Sequence, residues 1–170
     1  MRLDSAMGEA RRTTGRLGFY LGVIALAATA SGQVTLQNSV MKVERFINGD
    51  GHVESRLVPA DEVVPGDELH YTIEFANNGK QTVDENSIVI TNPVPEQTEY
   101  IDGSATGEAT EVVFSVDEGR QFADADILTI ASAEGDVPAS ARDYTTIRWK
   151  FSPSLEPGQR SHVAFNVRLK

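Results

Sequence analysis

Beyond residue 31, apolar and polar side chains alternate with period two along most of the chain. In Glu68–Phe75, Leu69, Tyr71, Ile73 and Phe75 fall on one side, and Glu68, His70, Thr72 and Glu74 on the other. Thr145–Phe151 sets Ile147, Trp149 and Phe151 against Thr146, Arg148 and Lys150. Ser161–Leu169 repeats the pattern with Val163, Phe165, Val167 and Leu169, and shorter sets occur at Val112, Phe114, Val116 and at Ile88, Ile90. Successive strand residues point to opposite faces, so each set makes one greasy face and one wet face. That is the mark of antiparallel sheets packed on one side. No stretch shows the i, i+3, i+4, i+7 spacing of an amphipathic helix.

Turn chemistry punctuates these runs. Asn48-Gly49-Asp50-Gly51 tolerates positive φ and joins a strand at 34–47 to one at 52–58. Pro65-Gly66-Asp67 and Pro157-Gly158 each combine a preset proline φ with a permissive glycine just before a strand. Asn77-Asn78-Gly79 turns the chain after Phe75. Pro93 and Pro95 lack the N–H that a ladder needs and close a strand at 86–91. With further strands at 68–76, 98–101, 110–116, 125–130, 144–151 and 161–169, the expectation is an all-β antiparallel sandwich of about seven to nine strands. No internal repeat divides it.

The first thirty residues read differently. Arg11, Arg12 and Arg16 precede an apolar run, Leu17–Ala30, that ends in the small-residue exit Ala28-Thr29-Ala30. A bilayer-spanning helix needs about 20 apolar residues, and this run is shorter. A basic flank, a short apolar stretch and a small-residue exit are the parts of a secretory signal. The expected organisation is a signal peptide at 1–30, an N-terminal strand and hairpin at 31–59 and a sandwich core at 60–170, with 31–170 folding as one domain and no stable membrane anchor after cleavage.

Charge and cysteine content narrow the function. The chain carries a net −10, and residues 1–30 hold four of its fifteen basic residues and two of its twenty-five acids, so the remainder is net −12. Such a surface has no electrostatic case for nucleic acid. The absence of cysteine excludes disulfides, Cys-ligated zinc and a thiol nucleophile.

Several of these residues fall in one order that resembles a secreted β-sandwich family. Val64-Pro65-Gly66-Asp67, then Leu69, Tyr71 and Ile73, then Asn77-Asn78-Gly79, are similar to that family's PGD turn, tyrosine-bearing strand and N-x-G turn. Asn86, Ile88, Ile90, Thr91, Pro93 and Pro95 resemble its next strand and proline exit. Tyr100, Ile101, Gly103, Ser104 and Ala105 resemble the strand and GS turn after that. Leu155, Pro157-Gly158, Val163, Phe165 and Val167 resemble its closing strand. The family is domain of unknown function eleven, the conserved repeat domain of bacterial and archaeal surface proteins. The resemblance covers about 60–170. It implies an immunoglobulin-like sandwich in the envelope or on the cell surface, here as one copy rather than a tandem array. Asn92 stands where the family often carries Asp.

The pattern points to no catalytic residue. His52, His70 and His162 each lie on the polar side of a strand, without H-x-H or H-E-x-x-H spacing. The adjacent acids Asp61-Glu62, Asp67-Glu68 and Asp84-Glu85 point to opposite faces on a strand. Ser115-Val116-Asp117-Glu118-Gly119-Arg120-Gln121-Phe122 fits S-x-D-x-G-x-x-F and looks like the Asp-box hairpin of secreted β proteins. In it Asp117 accepts backbone N–H bonds, Gly119 supplies positive φ and Phe122 packs beneath. No cofactor is expected. Calcium is the single candidate, through Asp117, Glu118, Asp124 and Asp126, although the D-x-D-x-D-G spacing is absent. The leading expectation is a non-catalytic exported module that contacts a protein or cell-surface component. A second is self-association, with Gln33–Ile47 (Val34, Leu36, Val40, Met41 and Val43) exchanged between copies and a bulge absorbing the slip in phase between Leu36 and Val40. A third is a calcium- or glycan-binding lectin-like domain.

Overall fold

The computed structural model describes residues 34–170. The signal peptide expected at 1–30 and its expected cleavage site lie outside the described residues. Everything described is strand, turn and loop, apart from one short 3-10 turn at Ala141–Asp143.

The longest alternating runs become the longest paired strands. In chain order these begin with β1 (Val34–Ile47), β2 (Val53–Pro59) and β3 (Glu68–Asn77), then β4 (Ile88–Pro93) and β5 (Thr98–Tyr100). Next come β6 (Thr106–Gly107), β7 (Thr110–Ser115), β8 (Thr129–Ser132) and β9 (Gly135–Pro138), and last β10 (Thr146–Phe151) and β11 (Arg160–Leu169). A large antiparallel sheet runs β2-β1-β3-β11-β5, with β6 also paired to β11. A smaller sheet runs β4-β10-β7, and β8 and β9 form a separate hairpin.

The greasy faces of the two larger sheets close on each other. On β3 every second residue from Leu69 to Asn77 is buried. Val163, Phe165 and Val167 of β11 join them from the same sheet, and Ile88, Ile90, Ile147, Trp149 and Phe151 come from the other. Phe75 meets Phe151 edge-on at 5.1 Å, and Trp149 leans on Phe165 at 5.8 Å. Each such side chain contributes about 1.5–3 kcal/mol by leaving water. Trp149, Tyr144 and Tyr71 are all buried, so none offers a ring to a sugar.

Three local expectations need correction. The described residues hold eleven strands rather than seven to nine. The additions are the two-residue β6 and β9, whose Gly-Asp-Val-Pro carries no alternation. The strand expected at 125–130 begins only at Thr129. The Ile127 amide donates to Asp124 O (3.2 Å) in a turn, and Ile127 is 66% exposed. No bulge interrupts β1, whose pairing with β3 is continuous from Val34↔Asn77 to Val43↔Glu68. What changes at residue 40 is the face. Val34, Leu36, Asn38 and Val40 stand opposite Asn77, Phe75, Ile73 and Tyr71 on the core side, whereas Met41 and Val43 point to the outer side. Asn38 sits in the greasy row, with its Oδ1 buried and without a partner.

Candidate interaction site

The turn 115–122 is built from side-chain-to-backbone bonds. The Ser115 hydroxyl donates to Asp117 Oδ1 (2.7 Å), and the same oxygen accepts the amides of Arg120 (3.0 Å) and Gln121 (2.9 Å). Ser115 Oγ accepts the Gly119 amide (2.9 Å). Hydrogen bonds from the Gln121 amide and the Ser115 hydroxyl hold the Asp117 carboxyl below the usual aspartate range. Gly119 has φ +83° and Glu118 +62°. Phe122 lies beneath the Arg148 guanidinium, 3.5 Å from ring centroid to Cζ.

The other turns fasten the body together. In the Pro65-Gly66-Asp67 turn, Asp67 Oδ2 accepts the Val64 amide (2.8 Å) and pairs with Lys42 Nζ (2.7 Å). Burial raises the Asp67 pKa, but the Lys42 and Val64 contacts outweigh it, and the net direction is down. The Gly66 amide donates to Leu169 O (2.8 Å) and the Leu169 amide to Asp67 O (2.9 Å), which ties the turn to β11. Asn77 is fully buried. Its Nδ2 donates to the carbonyls of Gln81 (2.7 Å) and Leu155 (2.8 Å), and its Oδ1 accepts the Gly79 amide (2.9 Å). Its carbonyl accepts Gly158 N–H (2.7 Å) from the Pro157-Gly158 turn, where Gly158 has φ +81°.

The four calcium candidates are not gathered. Asp117 is committed to its own turn, and Glu118 faces Arg120 at 3.6 Å. Asp124 and Asp126 are exposed. Among the described residues, no three His, Asp or Glu side chains converge as metal ligands. His52 and His162 are exposed. His70 is half-buried, its Nδ1 2.7 Å from Asn166 Oδ1. Asn166 Nδ2 donates to Glu68 Oε1 (2.8 Å), which orients the amide so that His70 Nδ1 carries the proton. Glu68 also takes Arg45 (2.6 Å). An open cleft of about 420 Å³ beside this network is lined by Val43, Arg45, Gly66, Asp67, Glu68 and Arg168.

The most unusual surface lies next to that cleft. β3 pairs with β1 only as far as Val43, whereas β2 pairs with Met41–Ile47. The far half of the β1–β2 hairpin therefore overhangs the two-layer body. Its side chains stay exposed: Phe46 37%, Ile47 73%, Val53 70% and Leu57 49%. On one face Val43 stands opposite Leu57, and Ile47 opposite Val53. On the other, Arg56 Nε donates to Glu44 (2.6 Å) and its guanidinium lies over Phe46 at 5.4 Å. Among the described residues nothing pairs with the outer edge of β2.

Sequence reasoning missed this surface. The signal was the face change at Val40–Met41, where apolar residues appear on both sides of one strand. The expected exchange strand is placed inside its own sheet, between β2 and β3. No helix among the described residues is long and apolar enough to cross a membrane. No family model matches the chain, and no curated protein or solved structure matches it either.

Proposed function

We propose that this chain is a non-catalytic exported module of the bacterial envelope or cell exterior, folded as an immunoglobulin-like sandwich, with a structural or adhesive role exercised through protein contact. The observation that carries the reading is the overhanging hairpin. A stable body holds out Phe46, Ile47, Val53 and Leu57 beside an edge strand, and large exposed apolar groups beside a free edge are the elements of a contact surface. The immunoglobulin-like reading draws support from the chain's crossing between the two sheets at β3–β4, β4–β5, β6–β7 and β10–β11, and from the lone tryptophan on the central strand of the smaller sheet. Export draws support from the basic flank, the fourteen-residue run Leu17–Ala30 and the Ala28-Thr29-Ala30 exit. The family likeness stands on the ordered motifs between 60 and 170.

The test has two parts. Cell fractionation with N-terminal sequencing should find the chain outside the inner membrane, beginning at Ser31. A photo-crosslinking side chain at Ile47, on the hairpin tip, should capture an envelope or surface component. A cytosolic chain that keeps Met1 overturns the export claim, and a tip that captures nothing in the envelope fraction overturns the contact role.

A further inference from the structure

The edge of β2 is complementary to itself. The Asn48 amide donates to His52 O (2.9 Å) and the Gly51 amide to Asn48 O (3.0 Å), closing the hairpin. Hydrogen-bonded pairs then recur at every second position of an antiparallel ladder. Phe46↔Glu54, Glu44↔Arg56 and Lys42↔Val58 are therefore the bonded pairs. Val53, Ser55 and Leu57 turn their N–H and C=O groups away from β1, toward solvent. Pro59, which has no N–H, ends this edge.

An antiparallel second copy laid along this edge with Ser55 opposite Ser55 satisfies every requirement of a ladder at once. Val53 falls opposite the second copy's Leu57, and Leu57 opposite its Val53. All of these are outward-bonding positions, so about six backbone hydrogen bonds form. Between them Glu54 falls opposite the second copy's Arg56, and Arg56 opposite its Glu54. Opposite charges directly across a ladder attract.

The neighbouring strand extends the match. Arg56 already bonds Glu44 of its own chain, so in the pair each guanidinium lies between two carboxylates. On the other face Val43 and Leu57 are followed by the second copy's Val53 and Ile47, giving a continuous apolar row twice over by symmetry. These rows bring Ile47 and Val53, the two most exposed large apolar side chains of the described residues, into contact with apolar neighbours. The overhang keeps the two bodies apart, because β2 pairs with the part of β1 that lies largely beyond β3.

We propose that two copies of this chain associate through β2, antiparallel and centred on Ser55, joining their large sheets into one. This two-fold contact is isologous and closes as a dimer. It differs from exchange of the N-terminal strand, since β1 stays in its own sheet. It rests on the hairpin being a contact surface but not on export, so a monomeric chain that still reaches the envelope refutes the dimer alone.

The test is sedimentation equilibrium of the full chain and of charge-swapped variants. The parent should dimerise. Glu54→Arg places Arg opposite Arg twice, and Arg56→Glu places Glu opposite Glu twice; each should weaken the dimer about tenfold or more. Mixing the two variants restores both opposite-charge pairs and should restore association as a heterodimer. Ser55→Pro removes an outward N–H and should give a monomer that melts where the parent melts once diluted to its own monomer, which shows that the fold is intact. A parent that stays monomeric to roughly 1 mM, weaker than any specific contact of use, overturns the proposal. So does association, through the apolar segment 17–30 or any other surface, that ignores these substitutions or is not recovered on mixing.

Discussion

Replacing Asn77 with alanine isolates the contribution of one buried polar side chain to the join between sheet and turns. Asn77 is fully buried at the end of β3, and its amide makes three hydrogen bonds: to the carbonyls of Gln81 and Leu155 and from the amide of Gly79. A typical intramolecular hydrogen bond is worth about 1 kcal/mol net. The partners differ in what they lose. Leu155 O keeps the Val83 amide at 3.0 Å, and Gln81 is exposed, so its carbonyl can turn to water. The Gly79 amide, half-buried, is stranded. The expected loss for Asn77→Ala is thus about 2–3 kcal/mol, near the plain sum and below a full penalty for three orphaned groups. Urea unfolding followed by the fluorescence of the lone Trp149 measures it. With a slope of about 1–3 kcal/mol per molar, the midpoint should drop by roughly 1–2 M with the slope unchanged. Asn77→Asp keeps the shape but sets a carboxylate against two carbonyl oxygens. It should cost more at pH 7 and recover part of the loss as the pH falls and the carboxyl regains a proton. A midpoint within about 0.3 M of the parent for Asn77→Ala would refute the argument.

Other expectations concern single positions. Asn38 faces the core with an orphaned Oδ1, so Asn38→Val should stabilise the chain by about 1 kcal/mol, read as a raised urea midpoint. Ala109 holds φ +52°, and Ala109→Gly should stabilise by roughly 0.5–1 kcal/mol by relieving the left-handed strain. Gly107→Ala should do the reverse, because a Cβ there meets Val163 Cγ1 at 2.8 Å and Thr110 Oγ1 at 2.7 Å; thermal melts of the two variants should move in opposite directions. Asp67, Asp117 and Asp143 all have lowered pKa values. Their stabilisation is therefore complete above the ordinary value of about 3.9 and is lost as the pH falls through their lower folded values. Melting temperature should fall as the pH drops below about 4, and Asp117→Asn should flatten that limb.

Where one face of a strand is buried and the other wet, the sequence shows the strand plainly. β3, β10 and β11 were legible for that reason, and so were Pro65-Gly66-Asp67 and Pro157-Gly158, whose backbone demands are local. Legibility failed where packing on one side ceases. Ile127 drew a strand over 125–130 because apolar side chains suggest burial, yet it projects into solvent at a turn. β9 pairs with β8 without any greasy face to announce it. The hairpin overhang escaped because apolar residues on both sides of a strand look like a slip in register. Only the observed pairing of Met41–Ile47 with Val53–Pro59 shows a regular ladder. The match of Glu54 to Arg56 across a second copy needed one further fact, namely which residues of β2 bond inward. No alternation of side chains reveals that.

The position of β11 has a consequence for biosynthesis. It is made after every other described strand, yet it occupies the interior of the large sheet, between β3 and β5, and Leu169 locks the Gly66-Asp67 corner. Until residues 160–169 have left the ribosome, β3 lacks its neighbour and the large sheet stays split between β3 and β5. Pairing of such distant segments is slow. The nascent polypeptide therefore stays slack until that strand has emerged, however early its partner strands were made.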